Sequence, residues 1–180
     1  MRKQVHENLE SLGVEALDLV NMRMGDAQGP QPGSITEAFE TLVDLQREGL
    51  IRHLGVSNVT AEQVAQARGI APIVCVQNMY NLAHRHDDDL VEHLTADGIA
   101  YVPFFPLGGF TPLQSKALSQ VAIRLEATPM SVALAWLMQR SPNILLIPGT
   151  SSTVHLRENI AGAGLSLSEE DVAELDSIGH

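Results

Sequence analysis

The sequence predicts an α/β fold in which a parallel sheet is covered by helices, and three observations predict it. Five mostly apolar runs of strand length recur along the 180 residues: "ALDLVNM", "RHLGVSN", "IVCVQN", "IAYVPFF" and "NILLIPG". Segments with helical spacing and recognisable caps separate them. The runs are continuous rather than alternating in polarity, as a sheet buried on both faces requires.

In chain order, the helical "QVHENLESL" stops at Gly13 and leads into the first strand, "ALDLVNM". After the loop "GDAQGPQPG", Ser34 with Glu37 three residues on reads as a capping box opening a helix that runs to Gly49. "RHLGVSN" is the second strand, and Thr60 with Gln63 repeats the capping signature over "AEQVAQAR". "IVCVQN" is the third. A polar loop and the helical "DDLVEHLTADG" precede the fourth, "IAYVPFF". Two helices follow in succession, "LSQVAIRLEA" and "PMSVALAWLMQR", with Pro129 in a first turn where its missing N–H does no harm. "NILLIPG" is the fifth strand, followed by a helix around "VHLRENI" and a last one, "SEEDVAELDSI", opened by Ser168. There is no repeat beyond this alternation, which suits an open sheet or part of a barrel equally.

Composition narrows the function. With 44% hydrophobic residues the chain can bury a core of one ordinary domain. A net charge of −11 and a pI near 4.9 argue against nucleic acid, since duplex binding needs many Lys and Arg to displace counterions. The single cysteine, Cys75, excludes an internal disulfide framework and any multi-thiolate metal site, and no metal is expected. "MRKQVHENLE" has charge without an apolar segment after it, and Pro103 and Pro106 interrupt the most apolar later stretch. The expectation is a soluble cytoplasmic protein with no membrane partner.

Polar residues gather at one edge. Ser57 and Asn58, Gln77 and Asn78, the residues after Phe104, and Gly149 to Ser152 all follow the carboxyl ends of successive strands, the functional rim of α/β sheets and barrels. "HLGVSN", "CVQNMYNL", "FFPLGG" and "IPGTSSTVHLRENI", in this order and spacing, resemble the aldo/keto reductase family of nicotinamide-dependent (β/α) barrels. The resemblance runs from Arg2 to about Ile178. It implies a partial (β/α)8 TIM barrel of five parallel strands with outer helices, one domain over residues 1–180 that matches the fourth to eighth units and has no counterpart of the first three.

The resemblance also implies NADP(H) as cofactor, with NAD(H) as the alternative, and a small aldehyde or ketone as substrate. Ser57, Asn58 and Gln77 resemble the trio that hydrogen-bonds the nicotinamide carboxamide, a group with donors and an acceptor. Phe104 stands where the family has an aromatic ring under the nicotinamide, and Leu107 and Gly108 resemble the loop along the pyrophosphate. Gly149, Thr150, Ser151 and Ser152 resemble the loop holding the adenosine phosphate beside a helix start. Glu158 and Asn159 resemble the pair facing the adenosine. Gly149 replaces a Lys common in the family and His155 an Arg that grips the 2′-phosphate, which should weaken discrimination for NADP, although Arg157 is close by.

The family's catalytic Asp, Tyr and Lys belong to units without a counterpart here. Arg23 stands where the family has its His at the end of the fourth strand; its fixed charge can polarise a carbonyl but it cannot act as a neutral acid. Tyr80 and Tyr101, the only tyrosines, do not fall at the catalytic position. Three readings follow: an NAD(P)H-dependent oxidoreductase whose catalytic groups are largely absent from these residues, a cofactor-binding or regulatory module without turnover, or an unrelated α/β domain. Five of eight strands would leave edges at "ALDLVNM" and "NILLIPG", inviting self-association.

Overall fold

The structure is a computed structural model that describes residues 1–26, 29–109 and 113–179. Ala27 and Gln28 of the "GDAQGPQPG" loop, and Phe110, Thr111 and Pro112 beyond "FFPLGG", lie outside the described residues. The chain divides into two compact units, Met1–Asn78 and Met79–His180.

The first unit comprises α1 (Arg2–Leu12), β1 (Leu17–Arg23), α2 (Thr36–Arg47), β2 (Ile51–Ser57), α3 (Ala61–Ile70) and β3 (Cys75–Gln77). β2 pairs in parallel with β1 and with β3. The register sets Asn21 beside Gly55 and Gly55 beside Cys75; two residues on, it sets Arg23 beside Ser57 and Ser57 beside Gln77. Residues two apart in a strand share a face, so these two polar rows lie on the same side of the sheet. The alternate residues Leu54, Val56 and Val76 are fully buried, as are Phe39 and Leu45 of α2 and Ala67 of α3. Burial of each large apolar side chain contributes about 1.5–3 kcal/mol, which fixes the register and hence the polar rows. Away from β2, β1 borders a groove of about 780 Å³ lined by α1 and by Leu19, Asn21 and Arg23.

The two capping signatures fare differently. Gln63 N–H donates to Thr60 Oγ1 at 3.2 Å and Thr60 N–H to Gln63 Oε1 at 3.0 Å, completing the box expected there. The box expected at Ser34 and Glu37 does not form. Ile35 is the N-cap of α2, and the Ser34 hydroxyl accepts from Thr36 N–H at 3.2 Å. Ile35 is wholly buried, and anchoring that side chain starts the helix one residue later than the local motif suggests.

The second unit comprises α4 (Asp88–Ala96), β4 (Ala100–Tyr101), α5 (Lys116–Arg124), α6 (Pro129–Arg140), α7 (Thr153–Gly162) and α8 (Glu169–Asp176). Its core is α6, buried continuously from Ser131 to Leu137. The expected fifth strand is reduced to one parallel bridge, Tyr101 with Ile144, so the described residues hold four strands. Tyr101 N–H donates to Asn143 O and Leu145 N–H to Tyr101 O, both at 2.9 Å. The pairing ends there because β4 is two residues long and Pro103 has no N–H with which to extend it. Among the described residues no single helix is long and apolar enough to cross a membrane.

Candidate functional site

In the first unit, parallel pairing brings Arg23, Ser57 and Gln77 into one row at the carboxyl ends of three strands. Arg23 Nη1 donates to Ser57 Oγ at 3.4 Å. Ser57 is buried, whereas Arg23 reaches solvent. Beneath this row lies a residue that sequence reasoning missed. Asn21 donates from Nδ2 to Gln77 Oε1 at 3.2 Å and accepts at Oδ1 from the Cys75 thiol at 3.0 Å. Gly55 makes room for it: a Cβ there would stand 2.1 Å from Asn21 Oδ1. The available signal was a lone amide inside "ALDLVNM" opposite a glycine inside "RHLGVSN". Burial pushes the Cys75 thiol pKa up, so the sulfur stays protonated and remains the donor to Asn21 Oδ1.

Asn58 is turned out of the row by a left-handed backbone, φ +57°, a conformation Asn tolerates better than most residues. Its N–H donates to Gln77 O at 2.9 Å. Its Nδ2 donates to the carbonyls of Met24, Asp26 and Gly29 at 2.8–3.0 Å. Gln63 Nε2 adds bonds to Gln31 O and Gly33 O, both at 2.9 Å. Two side-chain amides thus hold the carbonyls of Met24, Asp26, Gly29, Gln31 and Gly33 after β1. Asn58 Oδ1, in contrast, is buried with no hydrogen-bond partner among the described residues. Asn78 takes a framework role, accepting from Val59 N–H at 3.0 Å and donating to Val59 O at 2.7 Å.

In the second unit, Phe104, Leu107 and Gly149 line one cleft of about 410 Å³ together with Phe105, Pro106 and Ile147. Phe104 pairs with Met79 in a parallel bridge, and its ring meets Phe105 edge-on at 5.3 Å. Gly108 N–H closes a turn onto Phe105 O at 3.0 Å. From Gly149 the chain is exposed through Thr150 and Ser151 into α7, whose N-cap is Ser152. Ser152 Oγ accepts from His155 N–H at 3.4 Å and Thr150 Oγ1 from Ser152 N–H at 3.1 Å, so two of the hydroxyls shape the turn. A Cβ at Gly149 would meet nothing within 4 Å, leaving open space beside the helix start. His155, Glu158 and Asn159 share one face of α7 by their spacing.

The two tyrosines are framework residues. Tyr80 and Tyr101 are fully buried and donate to Asp88 and Asp87. Tyr80 stacks on Trp136 at 6.1 Å, and Arg85 lies 4.9 Å from the Trp136 ring centre. Burial, then the Asp88 carboxylate, pushes the Tyr80 phenol well above its ordinary range, and burial with Asp87 does the same at Tyr101. Neither is poised to give up a proton. No group of three or more His, Cys, Asp or Glu among the described residues is placed to hold a metal.

Parallel β/α units with their polar groups at the carboxyl ends of the strands define an α/β-barrel class of protein. The chain belongs to the aldo/keto reductase family, whose model matches residues 1–180. It is 63% identical over 180 residues to a pyridoxine 4-dehydrogenase of Escherichia coli (strain K12), covering 99% of this chain and 63% of that protein. An uncharacterized oxidoreductase of Schizosaccharomyces pombe is 37% identical, over 99% of this chain and 58% of its own length. The chain therefore spans about three-fifths of these relatives. Among solved structures, a thermostable aldo-keto reductase in complex with the inhibitor epalrestat superposes with a TM-score of 0.85 at 30% identity, over 98% of this chain and 65% of that one. An aldo/keto reductase from Klebsiella pneumoniae in complex with NADP and acetate gives 0.82 at 26%, over 99% and 64%.

Proposed function

We propose that these 180 residues supply cofactor recognition to an NAD(P)H-dependent oxidoreductase that reduces an aldehyde or ketone by hydride transfer. The observation that carries this reading is the placement of Ser57 and Gln77 side by side at adjoining strand ends, next to an Asn58 Oδ1 that is buried with no hydrogen-bond partner among the described residues. Ser57, Asn58 and Gln77 hold the nicotinamide carboxamide, and Phe104 offers a ring face to the nicotinamide. Leu107 and Gly108 run along the pyrophosphate. Gly149, Thr150, Ser151 and Ser152 take the adenosine phosphate at the start of α7, where the helix N-terminus favours an anion. His155 stands near the 2′-position, and Glu158 and Asn159 face the adenosine.

When bound, the reduced cofactor supplies the hydride. Arg23 stabilises negative charge on the carbonyl oxygen through its guanidinium, held towards Ser57. A proton donor contributes about 10²–10⁴-fold to such a reaction, and the buried phenols of Tyr80 and Tyr101 do not offer one. That observation favours a second reading, binding without turnover by these residues alone. Similarity to a pyridoxine 4-dehydrogenase makes pyridoxine and its aldehyde the first substrate pair to try.

Titration of NADPH with the chain, followed by nicotinamide fluorescence, tests the binding reading. Saturable, weak binding that Ser57→Ala, Gln77→Ala and Ser151→Ala each weaken is expected; the same titration curve for all three sinks the assignment. NADPH oxidation with 4-nitrobenzaldehyde should be slow. Fast oxidation that disappears in Arg23→Ala would instead place the chemistry on Arg23 itself.

A further inference from the structure

On the reading that Gln77 contacts the carboxamide, we propose that Asn21 is a positioning residue that fixes which end of the Gln77 amide faces the ligand. The hydrogen bonds beneath the strand ends run in one direction. The Cys75 thiol donates to Asn21 Oδ1 at 3.0 Å, and Asn21 Nδ2 donates to Gln77 Oε1 at 3.2 Å. Gln77 Oε1 is thereby engaged, and Gln77 Nε2 is left without a partner among the described residues. Gln77 consequently meets a ligand as a donor, suited to the carbonyl oxygen of a carboxamide, while Asn58 Oδ1 is the acceptor for its N–H2.

An amide side chain has no intrinsic preference between its two ends, so the orientation has to be imposed by neighbours. Here the register does so. Asn21, Gly55 and Cys75 share one row, two residues behind Arg23, Ser57 and Gln77. The bare Cα of Gly55 leaves the space that Asn21 Oδ1 occupies, 2.1 Å from where a Cβ would stand. The buried thiol keeps its proton at neutral pH and remains a donor to that oxygen.

The test combines the side-chain amide NMR signals of the unliganded 180-residue chain with NADPH titrations. Asn21→Leu should move the Gln77 N–H2 resonances and weaken NADPH about 3- to 10-fold, the range of one hydrogen bond. It should add little when Gln77→Ala is already present. Asn21→Asp should weaken binding further, because the introduced carboxylate attracts Gln77 Nε2 and turns Oε1 outward. Cys75→Ser, which keeps a donor, should bind nearly as the parent, and Cys75→Ala should not. If Gln77→Ala weakens NADPH while Asn21→Leu and Asn21→Asp leave both affinity and resonances unchanged, this proposal alone is overturned. Full additivity of Asn21→Leu and Gln77→Ala overturns it too. If Gln77→Ala binds as tightly as the parent, the carboxamide reading falls and takes the proposal with it.

Discussion

Gly55→Ala probes the packing beneath the candidate site with a single carbon. The new Cβ would stand 2.1 Å from Asn21 Oδ1, 2.8 Å from Cys75 Sγ and 2.9 Å from the Cys75 carbonyl oxygen. Asn21 can swing aside, but the Cys75 carbonyl belongs to the paired strand and can retreat only by loosening the β2–β3 ladder. Such overpacking costs about 1–3 kcal/mol. Displacing Asn21 forfeits its bonds to Cys75 and Gln77, each contributing about 0.5–1.5 kcal/mol. Reduced freedom of the unfolded chain returns about 0.4–1 kcal/mol. The net loss is about 1–5 kcal/mol, and a domain of this size loses about 2–4 °C of midpoint per kcal/mol, so Tm should fall by roughly 2–20 °C. Scanning calorimetry reads this directly. In an Asn21→Ala background the penalty should shrink, because the closest clash is gone. An unchanged Tm in the single variant refutes the packing argument.

Three further outcomes follow from the same contacts. His155→Arg adds a permanent cation to the exposed face of α7 and should shift preference towards NADPH over NADH in paired titrations. The Ser168 hydrogen bonds, then Arg124, hold the Asp171 carboxyl below its ordinary range. At Asp88 burial opposes, but Arg85 and Tyr80 win and lower it as well. A depressed carboxylate stabilises the fold above its unfolded pKa of about 3.9 and is lost as pH falls through the folded value. Denaturant midpoints should therefore hold from about pH 5 upward and drop below about pH 4, less steeply in Asp171→Asn. β1 pairs only with β2 among the described residues and exposes Leu19, an open edge that favours association. Sedimentation velocity should show concentration-dependent oligomers that Leu19→Lys reduces, and a monodisperse parent at high concentration contradicts this.

The sequence carried the helices and three strand ends because their signals are local. Thr60 and Gln63 cap α3 through contacts three residues apart, and the apolar run before Ser57 buries as its composition demands. Ser34 failed because Ile35, fixed by the core, sets where α2 begins. "NILLIPG" reads as a strand by composition, yet its pairing depends on a two-residue β4 cut short by Pro103. Asn21 was invisible for a different reason. Its partners Cys75 and Gln77 lie 54 and 56 residues away, and only the register through Gly55 brings them together. Similarly, the loop "GDAQGPQPGS" carries no readable chemistry of its own. Asp26, Gly29, Gln31 and Gly33 in it are held through their carbonyls by Asn58 and Gln63, both supplied from beyond β2.

The proposed function rests on recognition of a nicotinamide cofactor by Ser57, Asn58 and Gln77. Backbone amide chemical shifts of the 180-residue chain, recorded while NADPH is titrated to saturation, test it most directly. The account predicts the largest changes in the first unit at Ser57, Asn58 and Gln77, and in the second at Leu107 and Gly108 and from Gly149 to His155, each saturable. Shifts confined to other surfaces, or none at millimolar NADPH in a folded sample, would contradict it.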